Sequence, residues 1–393
     1  MPERQKRKGD NMEGQKVFRI GPFRPPSEAK SLLLQVTQGC TWNKCRFCQM
    51  YRHVPFKVFS VDSIKGDIDV MKYYADLALE CRDTQGQWDL QTMNSMLKNM
   101  SRPEAECAQL IFNWVINGGK TVFLQDGNTL ALSASKLKEV LNYLKEVFPQ
   151  IERITSYGRA QTLAQVTKEE YKELKNAGLD RIHSGFESGS QEVLDFINKG
   201  VDVEELIQAG KNIKAGGIEL SVYFMPGIGG KALSEKNAEG MAHVVNQVNP
   251  DYVRIRTAVI KEGTELWNEY KCGKMKLCSD DDKVKEIRQL INLAEACDGC
   301  LVSDHIVNLL QNVEGSLKED RAFMLEEIDK YLERPEVERK MYQIARRSGR
   351  ADSIEYLDGL HEIQKNQLQK MVLAYGTEVQ WNERINDMLS RYI

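Results

Sequence analysis

The 393-residue chain lacks an excess of positive charge: 54 Lys and Arg against 57 Asp and Glu leave a net charge of −3. A basic field spread over the whole molecule is therefore absent, and nucleic acid is not the expected partner. No apolar run approaches the roughly 18 residues that a membrane helix needs. The opening MPERQKRKGDNMEGQK lacks the apolar core of a secretory signal, so a cytoplasmic protein is expected. Nine cysteines is an odd count, and disulfides are rare in a reducing cytosol, which favours thiols that pack or bind metal.

Three of those cysteines, Cys40, Cys45 and Cys48 in VTQGCTWNKCRFCQMY, are spaced C-x4-C-x2-C after an apolar run, Ser31 to Val36. Thiolate is a soft ligand for iron–sulfur clusters, zinc or copper(I), and a closed iron–sulfur site uses four cysteines. Three without an evident fourth leave one iron open to another ligand. Zinc would need a fourth donor, which His53 offers in a C-x4-C-x2-C-x4-H arrangement. Buried structural cysteines are the third reading, against which the adjacent Lys44 and Arg46 weigh. Cys81 and Cys107 stand alone and read as packing residues. Cys272, Cys278, Cys297 and Cys300 leave two alternatives open, a second metal centre or cysteines in loops and at helix ends.

Apolar, β-branched runs recur at Ser31 to Val36, Lys120 to Leu124, Arg153 to Tyr157, Arg181 to Phe186, Glu219 to Met225 and Tyr252 to Ile260. Each has the length of a buried parallel strand. Helical patterns lie between them, among them SASKLKEVLNYLKEVF, TKEEYKELKNAG and DVEELIQAGKNIKAGG. Ser133, Thr167 and Asp202 are their expected N-caps, and Gly178 and Gly216 expected terminators. Alternating strand and helix predicts an α/β fold, a partial (β/α)6 barrel of the TIM-like kind; two further strands needed for closure are not evident. The expected organisation is an N-terminal extension over residues 1–29, a barrel over 30–265 with a helical insertion at about 61–119, and a C-terminal helical region over 266–393. In such folds, chemistry gathers at the strand C-termini.

The cysteine loop resembles that of the radical S-adenosylmethionine (radical SAM) superfamily, from whose commonest C-x3-C-x2-C spacing it departs by one residue. GFESGSQEVLDFINKG resembles the G-x-E-S-G-S segment of the branch holding elongator-type, methylthiotransferase and oxygen-independent coproporphyrinogen oxidase enzymes. The tail LVSDHIVNLLQNVEGSLKEDRAFMLEEIDKYLE is similar to one in a little-characterised subgroup, and the likeness runs from about Pro25 to Gly349. No TRAM-like β module, cobalamin domain or internal repeat is apparent. The resemblance implies that Cys40, Cys45 and Cys48 hold a 4Fe-4S cluster and that Phe47 lies near the adenine of S-adenosylmethionine. It places Asp126, Gly127 and Asn128 at the methionine amino group, Glu187 at the ribose hydroxyls, and Lys199 near the methionine carboxylate, with Ser188 a further cofactor-binding candidate. Tyr223 or Met225 in YFMPGIGG would line the adenine. Read without the resemblance, D-G-N is an ordinary turn and Lys199 a cation at a helix C-terminus.

Ser156 and Arg159, after the third strand, are further cofactor candidates, and an arginine there suits a carboxylate on cofactor or substrate. Arg254 and Arg256 share one strand face, either turned inward to an anionic substrate or outward in salt bridges. His305 reads as a ligand, an acid/base or a helix-packing residue. The resemblance implies reductive cleavage of S-adenosylmethionine to a 5'-deoxyadenosyl radical that takes hydrogen from substrate, with an electron donor such as flavodoxin or ferredoxin. A small molecule is the expected substrate, and Arg159, Arg254 and Arg256 are compatible with a carboxylated one. An RNA-modifying role and a zinc or iron–sulfur binding protein without catalysis are the alternatives. The sequence leaves the oligomeric state open.

Overall fold

The computed structural model describes residues 16–392. The basic start expected over the first residues lies outside them up to residue 15. A 3-10 turn at Pro26–Glu28 leads into β1 (Leu32–Gln35), and a short antiparallel pair, β2 (Thr37–Gln38) with β3 (Lys57–Val58), brackets the cysteine loop. Three helices, α1 (Val61–Glu80), α2 (Leu90–Asn99) and α3 (Arg102–Ile116), then carry the chain to β4 (Thr121–Gln125). They form the expected insertion, and α1 and α3 pack on each other and against β1.

Regular alternation follows: α4 (Ala134–Val147), β5 (Arg153–Gly158), α5 (Ala160–Leu163), α6 (Lys168–Asn176), β6 (Leu179–Glu187), α7 (Gln191–Phe196), α8 (Val203–Ala215), β7 (Glu219–Phe224), α9 (Ser234–Val248) and β8 (Tyr252–Ile255). Thr167 and Asp202 close capping boxes with Glu170 and Glu205, which satisfies the first free amides of α6 and α8. Ser133 stands at the N-cap of α4 without a side-chain cap bond. Gly216 keeps right-handed geometry at the end of α8, and the left-handed residue is Gly217 at φ +78°, one position later than expected.

The chain continues through α10 (Glu265–Lys271), α11 (Asp280–Leu293), β9 (Cys300–Val302), β10 (Gly315–Ser316), α12 (Arg321–Leu332), α13 (Glu336–Arg347), α14 (Glu362–Ala374) and α15 (Glu378–Ser390). The main sheet runs β1-β4-β5-β6-β7-β8-β9-β10, parallel up to β9, with β10 antiparallel at the edge. All six expected strands form, and β9 adds a seventh parallel one that sequence reasoning missed. The β9 residues CLV are too few to show a period. Tyr252 to Ile260 was expected as one strand, but β8 stops at Ile255. Beyond it the backbone follows the loop after β7, with Arg256 N to Phe224 O at 2.8 Å and Ala258 N to Pro226 O at 3.0 Å. Pro226 has no amide to continue a ladder.

Strand alternation sorts the sheet into two faces. Val122, Leu124, Ile154, Ile182, Leu220, Val222, Val253 and Ile255 join the helices in the main core. The opposite, concave face carries Phe123, Thr155, Tyr157, His183, Ser221, Tyr223 and Arg254. The N-terminal segment straps the first strands: Phe18 is buried, and the Gly21 amide donates to Gln125 Oε1 at 3.2 Å. Glu28, fully buried, pairs with Arg153 at 3.3 Å under the N-terminal end of the sheet. The C-terminal helices fold back on the loop after β8, where the Asn386 amide exchanges two hydrogen bonds with the Ile260 backbone, at 2.9 and 2.8 Å.

Candidate cluster and cofactor site

The cysteine loop is pinned by its backbone. Arg52 donates from Nε to Cys48 O at 3.1 Å, from Nη1 to Asn43 O at 3.2 Å and from Nη2 to Cys45 O at 2.8 Å. Asn43, at φ +51°, turns the chain between the first two cysteines. The end of α7 clamps the other side: Arg46 N reaches Ile197 O at 2.9 Å, Trp42 Nε1 reaches Asn198 O at 2.8 Å, and Asn198 Nδ2 reaches Lys44 O at 3.0 Å. Gly200 then passes under Trp42 so closely that an added Cβ would lie 2.4 Å from the indole. Trp42, Arg52 and Asn198 were not singled out in the sequence; the only signal was an arginine four residues beyond the last cysteine and an Asn-x-Gly after the helix.

All three thiols are half-buried. Burial pushes the Cys45 and Cys48 thiols up, and the Lys199 ammonium opposes it for both; each also responds to charge on Cys40. The three sulfurs therefore share one electrostatic environment, with Lys199 and Arg159 as cations beside Cys45. Among the described residues no three His, Cys, Asp or Glu side chains gather closely enough for a single ion, and His53 is exposed. Three soft thiol donors beside cations have the chemistry that an iron–sulfur cluster takes. Cys272, Cys278, Cys297 and Cys300 do not come together either: Cys272 is exposed, Cys278 lies on Glu286, Cys297 on the Pro250 carbonyl, and Cys300 within β9. Among the described residues these four cysteines form no metal-binding group.

At the end of β4 the D-G-N segment works inward. Asp126 is buried and accepts from the Gly39 amide at 3.2 Å and from the Tyr51 hydroxyl. Burial pushes its carboxyl up, and those two donors oppose the shift. An added Cβ on Gly127 would lie 2.9 Å from Gly39 O and 3.0 Å from the Tyr51 ring. Asn128 bridges Thr41 Oγ1 at 3.0 Å and Thr162 Oγ1 at 2.8 Å, and accepts from Arg159 N at 3.1 Å. These side chains join the cysteine loop to β4 and α5. Arg159 spends donors on the carbonyls of Lys199 and Gly200, at 2.9 and 3.3 Å.

Glu187 ends β6 at φ +65°, where the register with β7 shifts, and its Oε1 meets Lys199 Nζ at 2.9 Å. Burial works against the Lys199 ammonium, but Glu187 and Cys45 raise its pKa above the ordinary value. The two residues that the sequence placed at separate ends of a cofactor are thus one ion pair beside the cysteines. Phe47 and Met225 come together against a second apolar cluster of Ile197, Ile228, Ala258 and Ile260, and Lys199 stands 5.8 Å above the Phe47 ring. Ser188 is fully buried and accepts from the Ser190 amide at 3.1 Å. Ser156, also buried, shares the Ile154 face that meets the helices. Neither serine lies open to the site.

Arg254 and Arg256 turn inward and are salt-bridged at once, a combination the sequence reading had kept apart. Both meet Asp304 at 2.8 Å, and Arg254 Nε also donates to Ser221 Oγ at 3.0 Å. Tyr157 stacks on Tyr223 with ring centres 5.8 Å apart, on the same face. His305 neighbours this group, and burial, then Arg256, depresses its pKa to about 4.

Residues 34–238 match the family model described as the radical SAM superfamily. A tRNA uridine(34) acetyltransferase of Methanocaldococcus infernus is 27% identical over 123 residues, which is 31% of this chain and 23% of that protein. The heme chaperone HemW of Bacillus subtilis is 21% identical over 180 residues, 45% of this chain and 46% of that one. This chain thus spans less than half the length of either relative. Among solved structures, coproporphyrinogen III oxidase of Escherichia coli aligns at a TM-score of 0.40 and 15% identity, over 67% of this chain and 51% of its own.

Proposed function

The chain belongs to the radical SAM superfamily of enzymes, and on that premise we propose that it cleaves S-adenosylmethionine reductively to take hydrogen from a small-molecule substrate at the C-terminal ends of β4 to β8. The observation that carries this reading is the cysteine loop: three half-buried thiols held by backbone carbonyl contacts and flanked by cations. Cys40, Cys45 and Cys48 would hold the 4Fe-4S cluster. Bound together, cluster and S-adenosylmethionine supply the electron and the hydrogen-abstracting radical; the protein supplies position and shelter.

The remaining roles belong to the chain's own side chains. Glu187 and Lys199 offer a carboxylate for a diol and an ammonium for a carboxylate, at 13% and 10% side-chain exposure. Phe47 and Met225 offer an apolar seat for a purine. Asp126, Gly127 and Asn128 shape the loop through Gly39, Tyr51 and Thr41, and Arg159 braces the turn at Lys199.

The test is anaerobic: reconstitute the cluster, add S-adenosylmethionine and a strong reductant, and quantify 5'-deoxyadenosine beside Cys45→Ala. Product from the unaltered chain alone is expected; an intact cluster without product contradicts the proposal. Likeness to the archaeal tRNA acetyltransferase supports a second reading, action on RNA, and weakens the expectation against nucleic acid. That reading expects salt-dependent binding of tRNA by the reconstituted chain.

A further inference from the structure

We infer that the concave face of the sheet holds a subsite for one small carboxylate, bound by Arg256 and Tyr223, with Asp304 at the rim standing opposite as the counter-charge of the free chain. The inference deepens the proposed function by giving a substrate class, and as a reaction site it rests on that reading.

The argument begins with donors that have nothing to bond. Arg256 gives Nη1 to Asp304 and to the Ile255 carbonyl, at 2.8 and 2.9 Å. Its Nη2 is buried without a hydrogen-bond partner. The guanidinium lies over the Tyr223 ring at 4.9 Å, and the Tyr223 hydroxyl, 4% exposed as a residue, takes the Tyr157 hydroxyl as a donor and keeps its own O–H without an acceptor. Thr155 Oγ1, on the same face, is a third such group. Buried polar groups in folded proteins are bonded with few exceptions, and neighbouring exceptions mark a place where something else binds.

Charge gives the ligand's valence. At the N-terminal end of the sheet the charges on this face match: Arg153 with Glu28 at 3.3 Å, Arg181 with Glu219 at 2.7 Å. At the C-terminal end, Arg254 and Arg256 share the single Asp304. His305 adds no charge at neutral pH, because burial holds it well below its usual range. Glu187 and Lys199 cancel. Within the Arg254–Arg256–Asp304 group one positive charge is left over, which suits a monoanion rather than a phosphate dianion; Arg159, the other cation at this end, is turned to the carbonyls of Lys199 and Gly200. The free donors, one guanidinium nitrogen and one phenol, suit the two oxygens of a carboxylate. The wall beside them, Phe123 and Tyr157, is aromatic and favours a compact apolar remainder. Asp304 has a side-chain exposure of 29%, so the subsite opens to solvent at its rim.

The experiment titrates the reconstituted full chain by calorimetry with acetate, benzoate, the neutral isostere benzamide and inorganic phosphate. Binding of at least one carboxylate is expected, without binding of benzamide or phosphate. Arg256→Met should weaken it at least tenfold, Arg256→Lys less, and Asp304→Asn should tighten it. Iron and sulfide content per chain controls for folding and loading. If neither carboxylate binds, if benzamide or phosphate binds as well as they do, or if correctly loaded Arg256→Met and Arg256→Lys both bind as the unaltered chain does, the subsite is wrong. Formation of 5'-deoxyadenosine, measured separately, reports on the family chemistry: loss of carboxylate binding with product intact overturns only the subsite, and the reverse overturns only the proposed reaction.

Discussion

Arg52 holds three carbonyls of the cysteine loop on one planar group, including those of Cys45 and Cys48. A lysine keeps the charge but not the fork, and its single nitrogen does not span carbonyls that the guanidinium reaches from three separate nitrogens. Groups that orient metal ligands alter affinity by about ten- to a hundredfold when removed. Arg52→Lys should therefore lose its cluster to a chelator about tenfold or more faster than the unaltered chain, followed anaerobically by the cluster's visible absorption. Equal rates would show that the loop holds itself. At this scale the cysteine loop was legible as a candidate site from spacing, whereas Arg52, Trp42 and Asn198 act on backbone groups distant in sequence or hidden in a turn. Asp126 and Asn128 were legible as special; that they bond inward, to Gly39, Tyr51 and Thr41, was not.

Between elements, one close fit is where α9 crosses the turn after β6. An added Cβ on Gly240 would lie 2.5 Å from Ser190 N and 2.6 Å from Gly189 C, backbone atoms that cannot rotate away. Two effects then compete in Gly240→Ala. Alanine favours the helix by about 1 kcal/mol. Overpacking costs roughly 1–3 kcal/mol, and the contact with fixed backbone puts it at the upper end. Net destabilisation of about 1–2 kcal/mol is expected in urea unfolding; a gain in stability would mean that α9 can slide. This crossing also places Asn237, whose Nδ2 reaches Met225 O at 3.1 Å and so steadies the segment after β7. The strands and helices were readable from period and caps, but which glycine marks a close approach depends on what lies across from it.

Over the whole molecule, two buried carboxyls give stability a common pH trend. Glu286 of α11 accepts from the Gly227 amide, Ser234 and Asn237 at 3.0, 2.6 and 2.7 Å, yet burial raises its pKa to about 7 from 4.5. Asp67 of α1, paired with Arg19 at 2.5 Å, is likewise raised by burial, to about 6 from 3.8. A carboxyl with a raised folded pKa binds its proton more tightly in the folded state, so its stabilising effect is present below the unfolded pKa and lost as pH rises through the folded one. For Glu286 the full loss is on the order of 3 kcal/mol between about pH 4.5 and 7. Glu286→Gln should flatten the profile over that window relative to the unaltered chain, by chemical unfolding at several pH values. Parallel profiles would show that Glu286 ionises without cost.

Sequence alone determined the candidate cysteine loop and the βα alternation, because cysteine spacing and hydrophobic period are local quantities. Strand parity likewise put Arg254 and Arg256 on one face. Only the tertiary structure decided that Glu187 meets Lys199, that one Asp304 serves two arginines, and that β9 joins the sheet. Those outcomes depend on side chains 12 to 50 residues apart in sequence meeting in a shared low-dielectric space, where the partner of a charge is chosen by geometry rather than by its neighbours in the chain.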